Sequence, residues 1–443
     1  MAAPQVKTVT DLLPADVQLR GQVSEILEDI HPRLADRTTP IPSIFKTGGA
    51  QELLQRLTAV ESILSAADDY ETTLQKLQAQ IDEAEHTRDT VLAELFEQIR
   101  PIEKSYQQIQ LFFENAKGDP KKAQDPIELW VYDTDPGAIK DIHSVTISSV
   151  ENFVKAQNAD FDFRNDICNI VVPGFLPQPV REKFEETAHA YNALLIGDIK
   201  DEPTYKAVEN QYREGGNYYF LKRAEEKASC DVITVGYLKV RDAHWFEKKI
   251  QNADDLYVPP SVTFAGAFVR SDSTGGLAQG PVGTKFGQIK GPAKARIEPL
   301  ITEMTQLSMK RQLIPIIRDG NGRLCFYGCR SQADDPEGVL KFFTAYRILR
   351  SIGKRCTSMM TEVAGTPLTR DFMEQSIEQP IQTMLEKEKQ KGNIISYTFS
   401  VDKSESKRMM GICDVKVEVR PTGMLETVNL SVEVPKFKPE PGK

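Results

Sequence analysis

The stretch Ala193-Leu-Leu-Ile-Gly-Asp198 has the composition of a β-strand buried on both faces, because its apolar run ends at once in glycine and aspartate. Helical stretches at residues 179–191 and 204–228 flank runs of the same kind. Strands that alternate with helices predict an α/β layer in the middle of the chain. The other apolar runs predicted as strands are Ile127-Glu-Leu-Trp-Val-Tyr132, Cys168-Asn-Ile-Val-Val-Pro173, Asp231-Val-Ile-Thr-Val-Gly-Tyr237 and Phe264-Ala-Gly-Ala-Phe-Val269.

The C-terminal part carries a second kind of strand, in which apolar and polar residues alternate. This period of two predicts half-buried strands, one at residues 395–401 and two more in a hairpin around Pro421-Thr-Gly423. A terminal hairpin leaves an edge that another chain can extend by strand pairing. The residues predicted to take part in such pairing between subunits are Val415, Val417, Val419, Val428, Leu430, Val432 and Val434.

The N-terminal part is predicted to be helical, with one segment at residues 10–34 and a longer one at 51–98. Glu71, Glu85 and Arg88 interrupt the apolar spacing of the longer segment, which favours a helical hairpin or a helix packed on a partner over a continuous coiled coil. Pro101 is predicted to begin a separate helix. The residues expected to face a partner helix are Leu57, Val60, Leu64, Leu74, Leu77, Ile81, Leu92 and Leu95.

These patterns predict three regions in a fold of the α/β (α+β) class. Residues 1–123 form an N-terminal α-helical region, residues 124–300 an α/β middle domain, and residues 301–443 a C-terminal domain that ends in the hairpin. The first boundary is placed at Lys117-Gly-Asp-Pro-Lys-Lys122, where the helical pattern stops.

Composition excludes several classes of protein. The 443 residues carry 55 basic and 64 acidic side chains, a net charge of −9, which argues against a surface built to neutralise nucleic acid. Apolar runs near the length of a membrane span are absent from the sequence, so membrane insertion is not expected. The first residues do not resemble a secretion signal, and we expect a cytoplasmic protein.

Catalytic and ligand-binding motifs are also missing from the sequence. The Gly-rich stretch at residues 275–287 ends in Thr284-Lys285, the reverse of the order that a phosphate-binding loop requires. The five histidines are scattered, which argues against a metal site. Together with the missing motifs, this leads us to expect no catalytic residues, no metal site and no cofactor. An assembly role is therefore favoured. The alternative is a cytoplasmic α/β enzyme acting on a phosphorylated metabolite, with Gly197-Asp198 and the 275–287 loop as its site.

One long segment resembles a motif of the contractile tail-sheath proteins. It begins at Val258-Pro-Pro-Ser261, continues through Ala265-Gly-Ala267, and is followed by a second stretch, Arg323-Leu-Cys-Phe-Tyr-Gly-Cys-Arg-Ser331. Two long helices and a terminal hairpin come after it, in the order that sheath proteins have. The residues that match the sheath motif are Pro259, Pro260, Gly266, Arg270, Asp272, Gly328 and Arg330.

Two further matches favour one branch of these sheaths. Leu195-Ile-Gly-Asp198 and the tail with Arg420-Pro421, Leu425-Glu426 and Pro435 are similar to the large sheath subunit family of the type VI secretion system, TssC/VipB. Ile199 stands where that family has tyrosine, so the chain resembles a divergent branch. A sheath subunit of a phage tail or of another contractile injection machine is the alternative within this class.

The resemblance implies a structural rather than an enzymatic role. A sheath subunit of this family polymerises with a small sheath subunit (TssB/VipA-like) and with copies of itself around an inner tube protein (Hcp-like) on a baseplate. Contraction of the sheath propels the tube, and a ClpV-like ATPase then disassembles it by engaging a short N-terminal helix. Residues 12–30 are the candidate for that helix.

Overall fold

The structure is a computed structural model that describes residues 70–118, 127–132, 134, 137–161, 168–223, 226–244, 255–335 and 338–424. The chain divides into two compact units, Met1–Leu92 and Ala93–Lys443. Three groups of residues named above lie outside the described ranges: the candidate helix at 12–30, then Leu57, Val60 and Leu64, and finally Val428, Leu430, Val432 and Val434. The second half of the hairpin therefore stays a prediction.

Helices and strands alternate along the second unit. The helices are α1 Tyr70–Ala116, α2 Val145–Phe161, α3 Gln178–Ala190, α4 Tyr205–Gln211, α5 Ser261–Gly275, α6 Gly283–Phe286, α7 Ile301–Thr305, α8 Phe343–Glu362, α9 Arg370–Met373, α10 Gln379–Gln390 and α11 Glu405–Met409. The strands are β1 Asn169–Phe175, β2 Leu194–Asp198, β3 Asp231–Val235, β4 Leu238–Arg241, β5 Leu256–Val258, β6 Lys294–Ala295, β7 Leu313–Arg318, β8 Leu324–Phe326, β9 Ile394–Val401 and β10 Val415–Pro421.

A five-stranded sheet with the order β1-β2-β3-β7-β8 forms the centre of this unit. The first four strands are parallel and β8 runs antiparallel to β7. Every residue of β2 and β3 is buried, as the apolar runs predict. Val232 belongs to one hydrophobic cluster, whereas Ile233 and Val235 belong to another, so both faces of β3 are covered. The predicted α/β class is confirmed.

A second, two-stranded sheet pairs β9 with β10 in antiparallel register. The residues of these strands alternate between half-buried and exposed, as the sequence predicts. The half-buried side, which includes Phe399 and Val417, packs on a hydrophobic cluster built by α8 and the α9–α10 region. In the described part of the chain, β10 therefore pairs with β9, the strand predicted at 395–401.

Two predicted strands are wrong. The run at residues 264–269 lies inside helix α5, and the run at 127–132 forms no strand. Helix α5 is buried almost all round, with Phe264, Ala265, Ala267 and Phe268 in the core. A short apolar run does not distinguish a buried helix from a buried strand, which explains the error.

The predicted break at Pro101 is also wrong, because α1 continues through it as one helix. Proline removes one backbone hydrogen bond, but the helix continues for more than three turns on either side of the position. The predicted helix at 204–228 is mostly irregular, with only Tyr205–Gln211 and a 3-10 turn at Glu226–Cys230. Among the described helices, none combines the length and the apolar character needed to cross a membrane.

Candidate assembly surfaces

Five of the seven sheath-motif residues lie in helix α5 or directly before it. Pro260 precedes the helix, and its first residue, Ser261, is held by the buried carboxylate of Asp198 at the end of β2. Asp198 accepts hydrogen bonds from Ser261 N at 2.9 Å, Ser261 Oγ at 2.6 Å and Gly174 N at 2.8 Å, and also from Thr234 Oγ1. Asp198 is thus a structural cap that joins three strands to α5.

Gly266 lies where α5 crosses the end of helix α1. A Cβ atom at this position would lie 2.4 Å from the carbonyl oxygen of Phe112, closer than any side chain tolerates. The absence of a side chain lets the two helices approach at their backbones. Asn115 holds the same end of α1 in place, because it donates to Lys290 O at 3.1 Å and accepts from Lys290 N at 2.9 Å.

Arg270 and Asp272 tie the far end of α5 to other elements. The Arg270 guanidinium donates to the carbonyl oxygens of Asn115, Phe286 and Gln288 at 3.0, 2.9 and 2.6 Å. Asp272 accepts two hydrogen bonds from Arg347 of α8, which is 1% exposed. A bidentate pair between this buried arginine and the half-buried Asp272 fixes both distance and orientation between its two helices.

Gly328 and Arg330 follow β8 and pack against residues 306–310, a π-turn that continues helix α7. Gly328 has φ +99°, and a Cβ atom would meet Ser308 Oγ at 2.5 Å. Arg330 donates to Met309 O at 3.0 Å. The described sheath-motif residues are therefore internal braces of the body, and the structure does not place them on a surface where a partner could bind.

Strand β10 has one side that faces away from β9. Asp402 N donates to Asp414 O over 2.9 Å, which makes Asp402 and Asp414 a hydrogen-bonded pair. Hydrogen-bonded and non-hydrogen-bonded pairs alternate along antiparallel strands, so residues 416, 418 and 420 bond to β9. The backbone groups of Val415, Val417 and Val419 point the other way. We call this side the open edge, since no strand of the described residues pairs with it.

The part of helix α1 in the second unit has apolar residues on two sides. Phe96, Leu111 and Phe112 are buried, whereas another set is exposed, with Ile102 at 70% and Tyr106 at 63%. The exposed set follows alternating steps of four and three residues, the spacing of a helix-packing seam. We call it the apolar stripe; its members are Leu95, Ile99, Ile102, Tyr106, Ile109 and Phe113.

The sequence prediction located only part of this helical surface. Leu95 and the described residues Leu74, Leu77, Ile81 and Leu92 do lie on α1, and Leu74 and Ile81 are exposed. The stripe residues after Leu95 were not predicted as an interface. Their heptad spacing is present in the sequence, but the helix boundary predicted at Pro101 divides these residues between two segments.

Comparison with solved structures defines the class of protein first. The fold is that of contractile sheath subunits. A chain of the anti-feeding prophage baseplate, 6-fold symmetrised, matches with a TM-score of 0.52 at 14% identity, covering 74% of this chain and 79% of that one. A chain of the anti-feeding prophage helical sheath in the contracted state matches with a TM-score of 0.50 at 14% identity, covering 74% and 81%.

The family follows from the sequence. The model of the type VI secretion system TssC/VipB central domain matches residues 94–330, more than half of the chain. The chain belongs to this family and is a sheath subunit of a contractile injection system, which confirms the resemblance noted in the sequence. None of the curated proteins matches it.

Proposed function

We propose that this subunit assembles with a small TssB/VipA-like subunit and with copies of itself into the contractile sheath of a type VI secretion system. The observation that carries the proposal is the open edge of β10. Three alternate residues, Val415, Val417 and Val419, direct their backbone donors and acceptors away from β9, and no strand of the described residues pairs with them. Strand addition at such an edge joins two chains by backbone hydrogen bonds.

The two faces of the two-stranded sheet also favour the addition of a strand. Its half-buried side rests on helices α8 and α10, so an added strand would continue over the same apolar support. Its other side carries Lys416, Glu418 and Arg420, which are exposed. An incoming strand therefore needs apolar residues at alternate positions. In the proposed sheath, residues 428–434 of a second copy supply that pattern, in place of the hairpin predicted within one chain.

The apolar stripe of α1 is the second proposed contact. A helix that is apolar on opposite sides is normally covered on both, and the stripe is exposed in the described residues of the second unit. Its heptad spacing fits a helix, and family membership makes the small subunit the proposed source of that helix. Copies of this chain would then be joined by strands, and the small subunit by helices.

The remaining proposed partners follow from the family. The sheath surrounds an Hcp-like inner tube, starts from a baseplate, and is taken apart by a ClpV-like ATPase acting on residues 12–30. The proposed role is mechanical and cytoplasmic and needs no cofactor. Interfaces formed when subunits rotate and approach each other supply the free energy of contraction.

Co-expression tests the proposal. The chain is produced alone and together with the small-subunit gene product of its own system, and both preparations are imaged by negative-stain electron microscopy. Hollow tubes from the co-expressed pair and soluble protomers from the chain alone are expected. Tubes from the chain alone would favour the one-component sheath of a phage tail. Absence of tubes from both preparations contradicts the assembly role.

A further inference from the structure

Four charged side chains meet in the interior between helix α3 and strand β3. Arg181 and Glu185, one turn apart on α3, are 1% and 0% exposed, and Asp231 at the start of β3 is also buried. Arg181 Nε donates to Asp231 Oδ2 at 2.8 Å and its Nη2 donates to Oδ1. Arg223 Nη2 donates to Glu185 Oε1. Two guanidinium groups thus face two carboxyl groups in a buried site.

The second oxygen of Glu185 has no hydrogen-bond partner in the described residues. Burial raises the pKa of Glu185 to about 8, and the facing Asp231 carboxylate adds to the increase, against the lowering effect of Arg223 and Arg181. A proton on Glu185 supplies a donor towards Asp231 and removes the repulsion between the two carboxylates. An ionised Glu185 would leave this buried oxygen without a donor and would face the Asp231 carboxylate, so both burial and geometry favour the neutral acid.

Arg223 connects this cluster to the loop at residues 331–335. Its backbone N donates to Gln332 O at 3.1 Å and its carbonyl accepts from Asp334 N at 2.6 Å. Gln332 N in turn donates to Asp231 O at 2.9 Å. Residues 218–223 and the loop at residues 331–335, which follows sheath-motif residue Arg330, are thereby held to the sheet at the position of Glu185.

We propose that Glu185 is a protonation-dependent latch, whose neutral form holds helix α3, residues 218–223 and the loop at residues 331–335 together. The proposal concerns the single protomer and does not depend on the proposed assembly. The charged and titratable groups that face Glu185 come from every element packed against it: Arg181 and Glu182 on α3, Asp231 on β3, Cys230 in the 3-10 turn, and Arg223.

The direction of the pH effect follows from proton linkage. The closed form binds the Glu185 proton up to about pH 8, whereas an opened, hydrated Glu185 loses it near its ordinary value of 4.5. The latch is at full strength below about pH 4.5 and weakens as the pH rises to about 8. Over that range the equilibrium constant for opening rises about tenfold per pH unit, and it is constant above.

Hydrogen exchange of the full-length protomer tests the latch. Amide protection is measured by mass spectrometry at pH 6, 7, 8 and 9, after correction for intrinsic rates, in peptides covering residues 218–223 and 331–335. Protection is expected to fall about tenfold per unit between pH 6 and 8 and then to level off. Glu185→Gln, which cannot titrate, should give a flat profile.

Glu182→Gln is the matched control, because Glu182 also pairs with Arg223, at 3.5 Å, but is partly exposed. It should keep the wild-type pH profile. The proposal is overturned if Glu185→Gln retains the pH dependence or if the wild-type profile is flat. Should Glu185→Gln not fold, residues 394–421 of the wild-type chain serve as the internal reference. An equal pH-dependent loss of protection there contradicts a local latch.

Discussion

The two sheets of this protein differ in how far their strands are buried and in how their edge strands are paired. In the five-stranded sheet β2 and β3 are buried completely, and β8 is flanked by further hydrogen bonds from Ile289 N and to Gly287 O. In the two-stranded sheet each strand is buried on one side only, and β10 leaves its open edge facing away from β9. The first sheet holds distant parts of one chain together, whereas in the described residues the second sheet leaves one edge of β10 without a paired strand.

The predicted site residues differ in the same way, because one group makes contacts inside the protomer and the other faces outward. Those of the sheath motif, such as Gly266, Arg270 and Asp272, make contacts inside the body. Val415, Val417 and Val419 present backbone groups outward. Variants of the first group should therefore affect the stability of the protomer, and variants of the second should affect the polymer.

The largest expected effect is on the open edge. Val417→Pro removes one outward N–H, and it leaves the hydrogen bonds of residues 416 and 418 to β9 in place. The variant should abolish tube formation in negative-stain images of the co-expressed pair while the protomer stays folded in thermal melts. Val417→Ala is the control, because it loses similar side-chain contact but keeps the N–H. Normal tubes from Val417→Pro would disprove strand pairing at this edge.

The next effect concerns the apolar stripe. Replacing both Ile102 and Tyr106 by glutamate puts two charges where a partner helix should bury apolar surface, and binding of the small subunit should weaken by at least about a hundredfold. Gln98→Glu with Ser105→Glu adds the same charges beside the stripe. Affinity is measured with purified protomers. Equal weakening by both double variants would mean that charge, and not burial of the stripe, governs the interaction.

A smaller effect is expected in the body. Gly266→Ala places a Cβ atom against the Phe112 carbonyl and should lower the free energy of unfolding by about 3 kcal/mol. Gly353→Ala in α8 is the matched control, since nothing lies within 4 Å of its Cβ position, and it should be neutral or stabilising. Chemical denaturation compares them. Equal stability of the two variants would contradict close packing of α5 on α1.

The smallest expected effect is a pH dependence of stability that arises from Glu388 on helix α10, which packs under the two-stranded sheet. Burial opposes ionisation of Glu388, but hydrogen bonds from Arg355 at 2.9 Å and Asn393 at 2.6 Å lower its pKa to about 2. The carboxylate stabilises the fold above about pH 4.5, and this contribution is lost as the pH falls to about 2. Glu388→Gln should cost about 2 kcal/mol at pH 7 and weaken the acid dependence. Exposed Glu374→Gln should change neither.

Much of the fold follows from local sequence patterns. A strand buried on both faces has a continuous apolar run, and a strand buried on one face alternates apolar and polar residues. The mainly apolar β2 and β3 and the alternating β9 and β10 were predicted for that reason. Helix α5 was not, since a helix buried all round has no polar face to reveal its period.

The polar side-chain contacts of Asp198 and Glu185 could not be predicted from the sequence. The role of Asp198 as a cap depends on the donors Gly174, Thr234 and Ser261, which come from three separate elements that only the fold brings together. The Glu185–Asp231 pair is 46 positions apart and left no pattern in the sequence. Long-range polar contacts depend on the final packing and not on local spacing.

The most direct test of the account measures amide exchange along β10, residue by residue, in protomers and in polymers. In protomers the amides of residues 416, 418 and 420 should exchange slowly because they bond to β9, and those of 415, 417 and 419 should exchange fast. In polymers the second set should become as protected as the first. If the amides of 415, 417 and 419 still exchange fast in polymers, strand pairing at the open edge does not join the subunits.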